Sequence, residues 1–159
     1  MSARRAAEWE ALGIRPTSTF KPKPKPKAKM ATPKRQAYTG PKKSVTELVD
    51  ERSGGMCEWS DCGQRQTERH HRLNRKNGGR HGEAKERVNG VAWLLGACRV
   101  HHAFVTSPYG HRLKVARDRG WLLLEHEDAT QVPAWTRHSD EPVYLTADGA
   151  WVPFQEACA

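Results

Sequence analysis

The sequence predicts an α+β fold: a small zinc-stabilised domain preceded by a disordered basic tail. Three observations carry this. Helical signatures alternate with short apolar runs of strand length, cysteines and a histidine fall into two close pairs of metal-ligand type, and the excess positive charge sits outside the part that can fold. A chain of 159 residues has room for one modest domain with appendages, since smaller domains bury too little surface to be robust. The expected division is a basic Lys/Pro-rich tail over 1–44, a metal-containing domain over 45–120, and a strand-rich C-terminal extension over 121–159.

Charge separates the tail from the rest. Residues 1–44 hold twelve Lys/Arg against two Glu, while the whole chain carries +9, so everything after the tail is close to neutral. That remainder is itself polarised, with thirteen Lys/Arg against four acids across 65–119 and an acidic excess on either side. A basic face plus a cationic arm is the electrostatic footprint of a phosphate-rich partner. No apolar stretch reaches the ~20 residues needed to span a bilayer, and "MSARRAAEWEALG" lacks the apolar core of a secretory signal. The expectation is a soluble, intracellular, cytoplasmic protein without a membrane partner. In such a reducing compartment Cys57, Cys62, Cys98 and Cys158 read as thiols or metal ligands rather than disulfides.

Along the chain, residues 3–13 can form a short helix that "KPKPKPKAK" at 21–29 cannot continue, because each proline removes a donor and restricts its predecessor. Alternating Lys and Pro makes an extended charged rod, suited to lying along phosphates or to spacing two parts. "SVTELVDERSGG" at 44–55 reads as a helix with Ser44 as N-cap, Glu47 closing the capping box and Gly54 ending it. "MCEWSDCGQ" is a tight knuckle, and "TERHHRL" an extended run. A polar loop is expected from Asn74 to about Arg87, and Asn89 opens the apolar segment "VAWLLGA". In "SPYGHRLKVARDRG", Pro108 can open a helix and Gly120 end it. Beyond it, "WLLLEHE" and "PVYLTADGAWVPF" suggest short strands, with "DG" at 148–149 as a turn.

The ligand arithmetic is the strongest local signal. Cys57-x4-Cys62 and Cys98-x2-His101 supply three thiolates and one imidazole, a set that suits tetrahedral structural zinc. A small polar domain gains much of its folding energy from such a cross-link. Cys158, far from either pair, has no place in this site. Between the pairs lies "RHHRLNRKNGG" at 69–79, where adjacent His70 and His71 sit among arginines that make imidazole protonation harder. His81, His111, His126 and His138 lack such context and read as surface residues.

"RHHR" after a cysteine pair, a loop with "GG", an Asn, and "CRVHH" followed by a helix together resemble the HNH endonuclease family, the ββα-metal nucleases, in the small zinc-containing form of bacteriophage and actinobacterial genomes. The resemblance covers roughly residues 45–135. It implies a ββα-metal domain and a metal-dependent endonuclease that hydrolyses DNA phosphodiesters, nicking one strand or cutting both. By position it implies that His70 and His102 hold a catalytic divalent ion (Mg2+, Mn2+ or another transition metal) and that His71 is the general base, an imidazole being able to act as a base near neutral pH. His101 then belongs to the zinc, and His102 faces away from it toward the catalytic ion.

The family's central Asn, counted back from the closing histidine, falls at Trp93, whereas the nearest Asn here is Asn89, which can pin the loop of the base if that loop is shifted. Thr106 stands where many relatives carry a further His or Asn. Arg69, Arg72, Arg75, Lys76 and Arg80 flank the base and are the expected phosphate clamps, setting affinity and register without reading sequence. Trp59, Trp93, Trp121, Trp135 and Trp151 read as core or lid aromatics rather than stacking platforms. The competing class is a non-catalytic zinc-ribbon nucleic-acid-binding protein, with Trp93 and Thr106 marking a degenerate centre. Protein partners open at this stage are a second copy, as a homodimer, and a phage packaging assembly.

Overall fold

The computed structural model describes residues 11–13, 40–75 and 80–154. The chain divides into two compact units, Met1–Gln36 and Ala37–Ala159; the Lys/Pro run, Lys76 with the double glycine, and Cys158 lie outside the described residues. The second unit is a small mixed domain. In order it contains α1 (Lys43–Ser53), β1 (Glu68–His71), α2 (Gly82–Val88), a 3-10 turn (Val91–Trp93), β2 (Leu94–Ala97), α3 (Arg99–Thr106), α4 (His111–Asp118), β3 (Val143–Leu145) and β4 (Trp151–Pro153). Two two-stranded antiparallel sheets result, β1 with β2 and β3 with β4.

Helix α1 ends as expected, with Gly54 left-handed at φ 59°, a conformation glycine adopts without a Cβ penalty. Its start differs. Lys42 is the N-cap and makes no side-chain cap hydrogen bond, so Ser44 already has helical dihedrals and the Ser44/Glu47 capping box does not form; an N-cap residue must be extended. Thr46 Oγ1 instead donates to the Lys43 carbonyl at 2.7 Å. The polar loop expected up to Arg87 contains α2. Helix α4 starts at His111 after a Gly110 N-cap rather than at Pro108. Residues 121–127 form no strand, whereas the "DG" turn joins β3 to β4.

In the first sheet Glu68 pairs with Ala97, His70 with Leu95 and His71 with Leu94. Side chains alternate across a strand, so Glu68 and His70 share one face. The main core joins Leu73, Val88, Trp93, Leu95 and Val105 to Trp121, Leu123, Val143 and Leu145. Residues after 120 therefore complete the same core as the first sheet and α3, and β3–β4 is built onto it. A second cluster of Val49, Val91 and Leu94 seats α1 against β2.

Two buried charges organise this small core. Arg72 is fully buried and donates to four backbone carbonyls: Gly120 at 2.7 Å, Ala129 at 2.8 Å, Val132 at 2.8 Å and Ala92 at 3.3 Å. Burial pushes its guanidinium down to about 9. Arg72 is thus a tie between the first sheet and the C-terminal segment and cannot reach a DNA phosphate, which corrects its expected role as a clamp. Glu58, also fully buried, accepts from Arg52 Nε at 2.8 Å and Nη2 at 2.9 Å, from the Gly96 N–H at 2.6 Å, and pairs with His138 Nε2 at 2.8 Å. His138, expected on the surface, is half-buried in this network, because a buried carboxylate must be fully hydrogen-bonded to stay ionised. Despite desolvation, which opposes it, His138 and Arg52 hold the Glu58 carboxyl below its ordinary value.

Gly120 is the turn that makes this tie possible. Its φ is +67°, and an added Cβ would collide with the carbonyl oxygen of Pro133. Gly120→Ala is therefore expected to cost about 2–4 kcal/mol, from the left-handed penalty together with overlap against backbone that cannot move aside. Thermal melts should show a Tm lower by roughly 10 °C; an unchanged melt would contradict the placement of this turn.

Candidate metal centres

The knuckle at 57–62 is shaped by the backbone. The Cys57 N–H bonds to the Gln64 carbonyl at 2.9 Å and the Cys62 N–H to Trp59 at 3.1 Å, so both thiols turn inward. The second pair comes from the start of α3, where Cys98 is the N-cap and His101 lies within the first turn. Cys57 Sγ lies 3.5 Å and Cys98 Sγ 3.3 Å from His101 Nδ1, and Cys62 Sγ lies 4.0 Å from Cys98 Sγ. All four ligand atoms fall within 4.8 Å of one another. A tetrahedral zinc with Zn–S near ~2.3 Å and Zn–N near ~2.0 Å requires edges of about 3.5–3.8 Å; the 3.3, 3.5 and 4.0 Å separations lie close to these, and the cluster could hold such an ion. Burial pushes the Cys57 thiol up to about 12; a cation is what favours the thiolate in such a place. The Trp59 indole stacks on the His101 ring at 4.7 Å and 8°, fixing its orientation.

The second group of imidazoles lies one residue further on. On a helix, successive side chains project about 100° apart, so His102 leaves the cysteine cluster and meets β1. Its ring lies 5.8 Å from that of His70, at 72°. His70 is buried, and its Nε2 donates to the Trp121 carbonyl at 2.8 Å, which leaves Nδ1 with its lone pair. His102 Nδ1 lies 2.6 Å from Glu68 Oε2, leaving Nε2 as the ligand atom. This is the orientation a carboxylate partner imposes on a metal-binding histidine. Motif spacing does not single out Glu68; its one sequence signal is strand alternation, which puts residue 68 on the face of residue 70.

His71 Nε2 lies 3.0 Å from Asn89 Oδ1. An amide oxygen only accepts, so Nε2 carries the proton and Nδ1 is unprotonated. Burial pushes His70 down to about 3, reinforced by His102, His71 and Arg72. His71 is lowered for the same first reason, then by Arg75 and His102, against the raising effect of Asn89. Both rings are neutral at pH 7. A cleft of about 300 Å³ is lined by His70, His71, His102, Arg75 and Thr106, among others.

Asn89, not position 93, reaches His71. It ends α2, and the 3-10 turn over Val91–Trp93 then takes up the extra residues before β2. Trp93 is consequently a core residue, 6% exposed, with Arg87 stacked on its indole at 4.6 Å. Thr106 donates to the His102 carbonyl at 2.7 Å, and its hydroxyl faces the cleft.

The expected phosphate clamps are largely engaged within the fold. Arg69 forms a two-pronged pair with Asp50, with Nε at 2.9 Å. Arg80 grips Glu125 Oε2 at 2.8 Å and the Asn74 carbonyl at 2.9 Å. Arg72 is buried as described, and Arg75 lines the histidine cleft. Comparison with protein-family models, curated proteins and solved structures returned no match to this chain.

Proposed function

We propose that this chain is a metal-dependent endonuclease of the HNH, ββα-metal type, acting on DNA. The observation that carries the reading is that His70, His71 and His102 line one cleft, from an antiparallel strand pair and the helix that follows it, with Asn89 at the end of α2 bonded to His71. His71 takes a proton from the attacking water through Nδ1, while Asn89 holds the ring by its opposite nitrogen. His70 and His102 would hold the divalent ion, which supplies neutralisation of charge on the scissile phosphate and leaving oxygen. Two imidazole ligands suit a first-row transition ion such as manganese better than magnesium, which prefers oxygen donors. The Cys57, Cys62, Cys98 and His101 cluster takes zinc and has no part in the chemistry.

The test is plasmid relaxation. Supercoiled DNA should become open-circular or linear with Mn2+ and, more weakly, with Mg2+; DNA left intact by the wild-type protein across several divalent ions defeats the proposal. Glu68→Gln keeps the side-chain shape but removes the charge behind His102. It should raise the Mn2+ concentration needed for half-maximal cleavage about 10–100-fold, the usual weight of such a partner, with an unaltered melt. An unshifted metal titration would remove Glu68 from the site.

A second reading, a non-catalytic zinc protein that binds nucleic acid, draws on Thr106, whose hydroxyl lines the cleft where an imidazole would add a third nitrogen. It predicts a gel shift of DNA without cutting, and the same affinity after His71→Ala.

A further inference from the structure

On the outer side of the cysteine knuckle lies a second cleft of about 420 Å³, a size within the ~300–1,000 Å³ usual for small-ligand sites. It is walled by the knuckle turn, by residue 119 and by the segment from Trp135 to Asp140. Three features of its lining set it apart. Arg119 and Arg137 both face it, and among the described residues neither guanidinium is ion-paired; Arg119 instead lies over the Trp59 ring at 4.9 Å. Arg69 and Arg80, by contrast, are taken up by acids. Trp135, a large aromatic, stands 39% exposed at the cleft. The Ser60 hydroxyl beneath it is buried without a hydrogen-bond partner, which marks the knuckle turn as incompletely satisfied.

We propose that this cleft binds one unpaired nucleotide of a nucleic-acid strand, with its phosphate between Arg119 and Arg137 and its base on Trp135. Guanidinium pairs are the preferred partners of phosphate, and an exposed indole is a stacking platform for a base. Asp61 and Asp140, which also line the cleft, are acceptors only; they fit the exocyclic amine of cytosine or adenine and disfavour thymine. The inference rests on the nucleic-acid partner of the preceding reading but not on its catalysis.

The experiment is fluorescence anisotropy with labelled hexadeoxycytidylate on the full chain with its zinc, at about 0.2 M salt and without added divalent ion, so that the screened tail contributes equally to every variant. Wild type should bind at least about tenfold tighter than Trp135→Ala/Arg137→Ala, and Arg137→Ala alone should lower the salt slope by about 1. Arg137 is exposed, so Arg137→Glu serves as a second variant if the double variant melts early; it should weaken binding at least as much as Arg137→Ala. Equal affinity of these variants and wild type overturns the proposal. So does equal affinity for hexadeoxythymidylate, which removes the base from the cleft, or for hexaglutamate, which makes it a site for acidic peptides. If wild type shows the cleft-dependent binding yet leaves plasmid intact, the nuclease reading falls and the cleft stands; cutting with no cleft dependence gives the reverse.

Discussion

His71→Ala is expected to lower the rate of plasmid relaxation by about 10²–10⁴-fold, the usual contribution of a positioned general base, equivalent to about 3–5 kcal/mol of barrier. The size of the effect follows from the state of the ring. Its Nε2 proton is committed to Asn89 at 3.0 Å, and burial with Arg75 and His102 nearby keeps it neutral, so the lone pair of Nδ1 is available at working pH. Alanine removes that lone pair and leaves the Asn89 amide to water. The side chain is only partly buried and contributes nothing to the cysteine cluster, so zinc content and melting should stay close to wild type. This combination matters: a loss of cutting with an unchanged melt assigns the residue to chemistry. Retained cutting by His71→Ala would remove it from that role and leave the cleft without a base.

The other large effect should come from the cysteine cluster. Cys98→Ser, or extraction of zinc by a strong chelator, is expected to unfold the knuckle together with the start of α3. Zinc sites of this donor type contribute apparent binding free energies of about 10–16 kcal/mol at neutral pH, whereas a whole domain is stable by about 5–15 kcal/mol. The argument is specific to this fold. Cys57 and Cys62 are on one connection, and Cys98 and His101 are at the head of the helix that also presents His102. Losing the ion frees that helix end, and His102 with it. Circular dichroism with metal quantification should show one zinc bound per chain and a cooperative melt that disappears on its removal. A melt that survives complete zinc extraction would show that Trp59, Trp121 and the surrounding core suffice alone. The histidine cleft should fail along with the knuckle, so manganese added to chelated protein should not restore cutting, while zinc together with manganese should.

The elements that could be read from the sequence are those whose determinants are local. Gly54 ends α1 because a left-handed residue is required there, and the "DG" turn joins β3 to β4 for a similar reason. The two ligand pairs were legible because thiolates at such spacing have few other uses in a chain of this composition. Neighbours on a helix project about 100° apart, so adjacent His101 and His102 can serve two sites, as the resemblance implied. The capping box at Ser44 failed because a one-residue difference in where the helix starts moves Ser44 from the cap into the helix. The loop before Asn89 concealed α2, a two-turn helix too short for periodicity to reveal.

Charge was the least legible feature. Arg69, Arg72, Arg75, Lys76 and Arg80 look alike in a basic run, yet Arg72 is fully buried among carbonyls, Arg69 and Arg80 are held by Asp50 and Glu125, and Lys76 lies outside the described residues. Acids distant in sequence decide which guanidinium remains for a phosphate, and Glu125 is 45 residues from Arg80. The same holds for Glu68 and Trp121: the carboxylate that orients His102 and the carbonyl that orients His70 come from pairings made only when strand, helix and C-terminal segment meet. By itself the sequence determined residue chemistry, the ligand pairs and the turns, because these depend on side-chain type and on backbone preferences over a few residues. Tertiary structure alone decided which imidazoles share a cleft, which arginines are neutralised and which residues complete the core, because each depends on contacts between segments whose separation along the chain carries no record of their distance in space.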